Sequence, residues 1–130
     1  LECIYPEPNM FGANPMEIAQ IEMWYSRVSF ELMMPLMHGF RHTHPHMSQL
    51  ENQNNEFGIA QRELAIKSLK HYDELVKNKD FIACSKFTYA DIQMVTSLQF
   101  LVRLNKIDIV DYSNLDSYIN NIAARPSFSS

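Results

Sequence analysis

Apolar residues recur every three or four positions between residues 15 and 37, which is the spacing of one face of an α-helix. Asn14 suits the N-cap, Pro15 the first helical position and Glu17 a capping box. The pattern predicts a long helix, which Pro35 should kink or end early because proline lacks a backbone donor. Its main apolar line consists of Ile18, Ile21, Tyr25, Val28, Leu32 and Leu36.

A second apolar line runs along the same predicted helix. One line is enough to dock a helix on its own domain, so a second line indicates that something else covers the helix on another side. This second line consists of Ala19, Met23, Phe30, Met34 and Met37.

A second amphipathic helix is predicted from about Glu56 to Lys77. Its apolar face consists of Ala60, Leu64, Ala65, Leu69, Tyr72 and Val76. A later short helix should begin where Ser113 and Asp116 have capping spacing. Its apolar face consists of Leu115, Tyr118, Ile119 and Ile122.

Between these two lies a helix that is apolar on nearly all sides, which predicts a central, buried element. Thr88 and Asp91 stand at N-cap and N3 spacing, and Phe87 can staple onto Ile92. We interpret Thr88 and Asp91 as a structural cap and not as a catalytic pair. With no convincing strand pair, the chain is predicted to be all-α, a bundle of about four to six helices.

Composition narrows the functional classes. The chain has 130 residues, a net charge of −4 and scattered basic residues, so nucleic acid and anionic membranes are poor partners. No stretch approaches the ~18 consecutive apolar residues of a membrane span. Cys3 and Cys84 have no CxxC spacing, which favours a reducing, cytoplasmic setting.

Two segments carry a family resemblance. "FIACSKFTYADI" and "LDSYINNIAARPSF" resemble the C-terminal helical domain of cytosolic glutathione S-transferases, and "FRHTHP" resembles a His- and Pro-containing segment of a bacterial and fungal branch. "YPEPNMFGANP" is similar to the interdomain linker. The resemblance implies a linker remnant over residues 1–13 and the helical domain over 14–130, without the N-terminal thioredoxin-like domain. Cys84 and Ser85 depart from the family's usual Gly-Asp.

The resemblance implies that the parent protein attacks hydrophobic electrophiles with the thiolate of glutathione. The missing domain would bind most of the glutathione, and this domain would supply a wall of the electrophile pocket and contacts of a homodimer. The isolated chain should be inactive. A different class stays open, since the same helical fold also serves as a non-enzymatic interaction module.

The segment "HGFRHTHPHM" holds His38, His42, His44 and His46, and three interpretations of it remain. The histidines could be polar capping and surface groups after a helix end. A native zinc site is disfavoured because no Cys is near and there is no HExxH motif, so no metal is predicted. In the third interpretation the resemblance places His42, together with Arg41, near the glutathione thiol or its bound water.

The same resemblance implies a function for the second apolar line of the long helix. Arg27, Phe30, Met34 and Met37 are expected on the electrophile side, where soft Met side chains suit varied apolar ligands. Glu22 and Trp24 are expected to face the partner subunit.

Overall fold

The structure is a computed structural model that describes Ile4 and residues 7–126. The five α-helices of this part are α1 (Pro15–Val28), α2 (Met34–Thr43), α3 (Asn55–Val76), α4 (Tyr89–Arg103) and α5 (Ser113–Ala123). A π-helical turn, Ser29–Met33, joins α1 to α2, and a 3-10 turn, Pro45–Gln49, follows α2. The described residues contain no strand, and the predicted all-α class is confirmed.

Helix α1 begins where the sequence predicts. The Asn14 side chain accepts hydrogen bonds from the backbone N–H groups of Met16 and Glu17, at 3.1 and 3.0 Å. Pro15 takes the first helical position. The Glu17 carboxylate reaches back to the N–H of Ala13 at 3.0 Å, one residue before the cap.

Pro35 was expected to kink the helix or to end it early. It does not end the helical path, so the second of these alternatives is wrong. In the π-turn immediately before Pro35, backbone hydrogen bonds reach five residues back instead of four. The N–H of Met34 bonds in this way to the carbonyl of Ser29. The chain therefore passes a residue that has no donor and continues as helix to Thr43.

The buried face that runs from α1 through the π-turn into α2 is narrower than predicted. Ile21, Val28, Leu32 and Leu36 are fully buried, but Ile18 and Tyr25 are exposed. Each of those two lies three residues before a buried one, about 60° round the helix, and so falls at the edge of the contact face.

The predicted face of α3 is correct in its C-terminal part and wrong in its N-terminal part. Ala65, Leu69, Tyr72 and Val76 are buried, whereas Ala60 and Leu64 face solvent. The N-terminal contact is centred on Gly58, which packs against the end of α2. A glycine contributes nothing to an apolar pattern, so the pattern indicated Ala60 and Leu64 in place of Gly58.

Helix α4 is central, with Ala90, Met94, Val95, Leu98 and Leu101 buried against its neighbours. One side of it is open, because Ile92 and Val102 are each 39% exposed. The prediction of a central, buried element is therefore wrong on that side only.

A fully buried carboxylate, that of Asp91, holds the start of α4. Thr88 donates to it from its backbone N–H at 2.8 Å and from its hydroxyl at 3.1 Å. The Thr88 side chain also accepts from the backbone N–H of Asp91, which completes a capping box. The N–H of Ile82 donates at 2.8 Å and the hydroxyl of Tyr118 at 2.5 Å. Burial, with the neighbouring Asp91 carboxylate, raises the pKa of Tyr118, so this hydroxyl remains a donor. One side chain thus joins α4, the loop before it and α5.

Helix α5 is capped from another helix. Ser113 is the first helical residue and not the predicted cap. The carboxylate of Asp73 on α3 accepts from the backbone N–H groups of Asn114 and Leu115, at 2.9 and 3.0 Å, and from the Asn114 side chain at 2.8 Å.

Replacing Asp73 with alanine is expected to lower the free energy of unfolding by about 1–2 kcal/mol, because the start of α5 loses its acceptor. Urea denaturation followed by circular dichroism measures the change. Glu74→Ala, a change at the next, exposed position of α3, is the matched control and should cost less than about 0.5 kcal/mol. Equal losses in the two variants would show that Asp73 does not cap α5.

Candidate functional site

The second apolar line of the long helix lies on the surface. Phe30 is 66% exposed, Met34 40% and Met37 39%, and these three occupy the π-turn and α2. Met16 and Met23, further back on α1, are also exposed. We call these five side chains the exposed flank. The described part of the chain covers them only in part, as expected from a helix with two apolar lines.

Arg27 lies between Met23 and Phe30 along the helix, but its side chain makes polar contacts. Its Nε donates to Glu31 at 3.0 Å, and its guanidinium lies 4.8 Å from the centre of the Trp24 ring. The Tyr72 hydroxyl of α3 donates to the same Glu31 carboxylate at 2.8 Å. The structure therefore brings together Trp24 and Arg27, which the sequence analysis had assigned to different surfaces, and ties both to α3.

His38 and His42 lie one turn apart on α2 and both contact Phe57 of α3, with ring centres 5.7 and 5.1 Å away. The Nδ1 atom of His42 also accepts a hydrogen bond from the backbone N–H of Asn54 at 3.1 Å. Asn54 in turn caps α3 through the N–H of Phe57. His42 thus holds the start of α3 against the end of α2.

The rest of the histidine segment folds back on itself. The ring of His44 stacks on that of Phe40, with centres 4.5 Å apart, and His46 stacks on His44. The side chain of Gln53 donates to the backbone carbonyls of Arg41 and His44, both at 2.8 Å. Arg41 forms an ion pair with Glu51.

The four histidines do not converge on one point. Across Ile4 and residues 7–126, no group of three or more His, Cys, Asp or Glu side chains could hold a metal ion. Within the same residues, no helix combines the length and the apolar character needed to cross a membrane.

Sequence analysis missed a cavity of about 900 Å³ at the other end of the domain, where the linker meets the start of α4. The guanidinium of Arg125 lies over the Phe87 ring, 4.1 Å from its centre, at one wall of this cavity. Its other walls come from residues 7–10 and from the loop that contains Phe81 and Lys86. The "FIACSKF" loop is the sequence signal that could have indicated it, since it places two aromatic side chains beside a linker.

Comparison with known proteins identifies relatives across nearly the whole chain. A family model described as "Glutathione S-transferase, C-terminal domain" matches residues 25–126. Glutathione S-transferase 2 of Saccharomyces cerevisiae is 27% identical over 122 residues, which make up 92% of this chain and 52% of that protein.

Solved structures agree with that match. The crystal structure of Gtt2 from Saccharomyces cerevisiae has a TM-score of 0.89 at 25% identity, covering 98% of this chain and 62% of that one. A glutathione S-transferase domain-containing protein from Marinobacter aquaeolei has a TM-score of 0.83 at 28% identity, covering 93% and 60%. The chain thus spans about half the length of the curated relative and about three fifths of these solved chains.

Proposed function

Since the chain belongs to the glutathione S-transferase C-terminal domain family, we propose that it forms the electrophile-binding half of a glutathione transferase. The reaction is attack of the glutathione thiolate on an electrophilic carbon of a hydrophobic compound. A preceding thioredoxin-like domain binds most of the glutathione. The chain by itself does not catalyse the reaction.

The exposed flank carries this proposal. Phe30, Met34 and Met37 are apolar side chains that the described part of the domain leaves partly exposed. Methionine and phenylalanine can adapt to apolar compounds of different shape, as a detoxifying pocket needs. Arg27, which points to α3 instead, takes no direct part in this wall.

His42 has a more specific role in the proposed site. Because its Nδ1 accepts the N–H of Asn54, the neutral imidazole carries its proton on Nε2. Such a ring offers the thiol a hydrogen-bond donor, so His42 stabilises the thiolate or its bound water and does not remove the proton as a base. The neighbouring Arg41 lies at the same helix end, where it is paired with Glu51.

Two other surfaces of the domain would contact a second copy of the chain and the preceding domain. Met16 and Met23, with Glu22 and Trp24 beside them, form the surface for a second copy in a homodimer. The apolar cavity next to the linker receives part of the preceding domain. The thiol of Cys84 is free and half-buried, which suits the cytoplasm.

Shortening Phe30 and Met34 to alanine in the full-length parent is expected to lower kcat/KM for 1-chloro-2,4-dinitrobenzene about tenfold. Losing this apolar contact removes about 1–2 kcal/mol from the binding of the electrophile. The KM for glutathione should not change, because another domain binds it. Steady-state kinetics with each substrate varied in turn measures both effects.

Two controls accompany this experiment. Leu64→Ala removes an exposed leucine from α3, away from the exposed flank, and should leave kcat/KM unchanged. The 130-residue chain alone should give no conjugate above the uncatalysed rate. An unchanged kcat/KM in the double variant would reject the pocket role, and conjugation by the chain alone would reject the division between domains. An upstream sequence without a thioredoxin-like domain would favour an interaction module.

A further inference from the structure

The side chain of Gln53 joins the segment before α3 to the end of α2. Its Nε2 atom donates to the backbone carbonyls of Arg41 and His44, both at 2.8 Å. Carbonyl oxygens only accept hydrogen bonds, so the atom between them must be the amide nitrogen and not the amide oxygen. Each of the two amide hydrogens has one acceptor. The two carbonyls therefore determine the orientation of the half-buried Gln53 side chain.

These hydrogen bonds meet a need of the helix end, where the last carbonyls have no partner within the helix. The N–H of His44 still bonds to the carbonyl of Phe40, but the backbone of His44 is extended and the chain leaves the helix there. The next carbonyl, that of Arg41, takes its hydrogen bond from Gln53, 12 residues further along. Gln53 thus closes the loop between α2 and α3 onto the helix that the loop has left.

This closure determines where the next residue lies. The N–H of Asn54 donates to Nδ1 of His42 at 3.1 Å, and the Asn54 side chain caps α3 through the N–H of Phe57 at 3.0 Å. The Arg41 carbonyl and the N–H of His42 belong to one peptide group. Gln53 and Asn54, consecutive in the chain, therefore hold the backbone just before His42 and the ring of His42 itself.

The other contacts near this ring restrain it less specifically. An ion pair between Arg41 and Glu51 also closes the loop, but the Arg41 side chain is 47% exposed, and exposed ion pairs contribute little. The edge-on contact with the Phe57 ring limits rotation of the His42 ring without distinguishing its two nitrogens. The hydrogen bond from Asn54 is what makes Nδ1 the acceptor and leaves the proton of the neutral ring on Nε2.

We propose that Gln53 is a positioning residue for His42, because its amide holds the N–H of Asn54 against Nδ1 of the ring. The inference rests on the proposed function of His42 and gives the cause of its protonation. Without the Gln53 amide, the loop loosens and the ring divides between its two neutral tautomers. In the tautomer with the proton on Nδ1, Nε2 is an acceptor and cannot donate to the glutathione thiolate.

Nuclear magnetic resonance of the histidine ring nitrogens tests the position of the ring directly. Gln53→Met keeps the length of the side chain, removes both donors and changes no charge. At about pH 8, where imidazoles of ordinary pKa are neutral, the original chain should show a bare Nδ1 and a protonated Nε2 in His42. In Gln53→Met the two nitrogen shifts should move towards each other, because both tautomers are populated.

Asn52→Leu is the matched control, because it removes an exposed side-chain amide one position earlier. It should leave the nitrogen shifts of His42 unchanged, and far-UV circular dichroism should show the same helix content in all three proteins. Unchanged shifts in Gln53→Met, or an equal change in Asn52→Leu, would overturn the proposal.

The pH dependence of kcat/KM for 1-chloro-2,4-dinitrobenzene at saturating glutathione tests the consequence in the full-length parent. Gln53→Met should raise the pKa of the bound thiol by about 0.5 pH unit, because one hydrogen bond to the thiolate is weakened. Below that pKa the rate should fall about threefold, in proportion to the thiolate. At high pH the loss should disappear, because the thiol then ionises without help. A loss of the same factor at every pH would indicate general damage and overturn the proposal.

His42→Ala separates this inference from the proposed function. An unchanged thiol pKa in His42→Ala would reject the role of His42 in the reaction, and the ring-nitrogen shifts would still decide whether Gln53 positions the ring. A raised thiol pKa in His42→Ala without any rise in Gln53→Met would keep the role of His42 and overturn the role of Gln53.

Discussion

Replacing Asp91 with alanine is expected to lower the free energy of unfolding by about 3–5 kcal/mol, the largest loss that we expect from any single change in this chain. The carboxylate is fully buried and accepts four hydrogen bonds. Without it, the N–H groups of Ile82 and Thr88 and the hydroxyl of Tyr118 stay inside the bundle with no acceptor. Each such buried, unpaired donor costs about 1–3 kcal/mol.

The loss should exceed that of an ordinary N-cap, which is about 0.5–2 kcal/mol, because two of the four donors come from outside α4. Ile82 lies in the preceding loop and Tyr118 on α5, so the alanine variant loosens three parts of the fold together. Chemical denaturation of the purified chain measures the change. The denaturant dependence of the unfolding free energy, the m-value, is compared between the variant and the original chain to show that both unfold to the same extent.

Tyr118→Phe keeps the measurement informative if Asp91→Ala fails to fold. This variant removes one donor and leaves the carboxylate bonded to Thr88 and Ile82, so it should cost only about 1–2 kcal/mol. A loss below about 1 kcal/mol in Asp91→Ala, or one no larger than in Tyr118→Phe, would show that the carboxylate does not join the three elements.

Local sequence predicted those features whose partners are near in the chain. The start of α1 depends on Asn14 and residues within three positions of it, and spacing alone identifies such a group. The capping box of Thr88 and Asp91 is local in the same way. The helices and their main apolar faces follow from periodicity, and the family resemblance that the motifs indicated is confirmed.

The features that sequence reasoning missed are pairings across the fold. Asp73 caps a helix 41 residues away, and Arg27 contacts His71 at a separation of 44 residues. No periodic pattern marks such pairs, since each partner looks like an ordinary polar residue on a helix. The π-turn before Pro35 was missed for a related reason: the local rule predicts that proline disrupts a helix, but not that a widened turn will accommodate it.

In the histidine segment, sequence spacing indicates where the rings lie but not which ring nitrogen carries the proton. His38 and His42 are spaced i, i+4 on α2, so they lie on one helical face, and both contact Phe57. The direction of the hydrogen bond from Asn54 could not be read from spacing, yet it determines which ring nitrogen carries the proton. The orientation and tautomer of the His42 ring therefore depend on the packing of α3 against α2.

Replacing Gly58 with valine is expected to cost about 3 kcal/mol, because α2 and α3 cross too closely there for any side chain. A Cβ atom at Gly58 would lie 2.7 Å from Cγ2 of Thr43 and 2.9 Å from Cβ of His42. The hydroxyl of Thr43 is held by the carbonyl of Gly39, and the Cβ of His42 cannot move without its backbone, so the helices must separate. Overpacking of this kind costs about 1–3 kcal/mol, and the two methyl groups of valine place it at the upper end.

Ala60→Val is the matched control, because Ala60 is exposed on the same helix two residues later. It adds a β-branched side chain to α3 without a clash and should cost less than about 0.7 kcal/mol. Thermal and urea unfolding of both variants measure the difference. Since the α2–α3 crossing also holds His42, Gly58→Val should further weaken the bond between Asn54 and the imidazole, seen as faster amide exchange at Asn54. Similar losses of unfolding free energy in the two variants would mean that α2 and α3 can separate at little cost. The close packing at Gly58 would then not require a glycine.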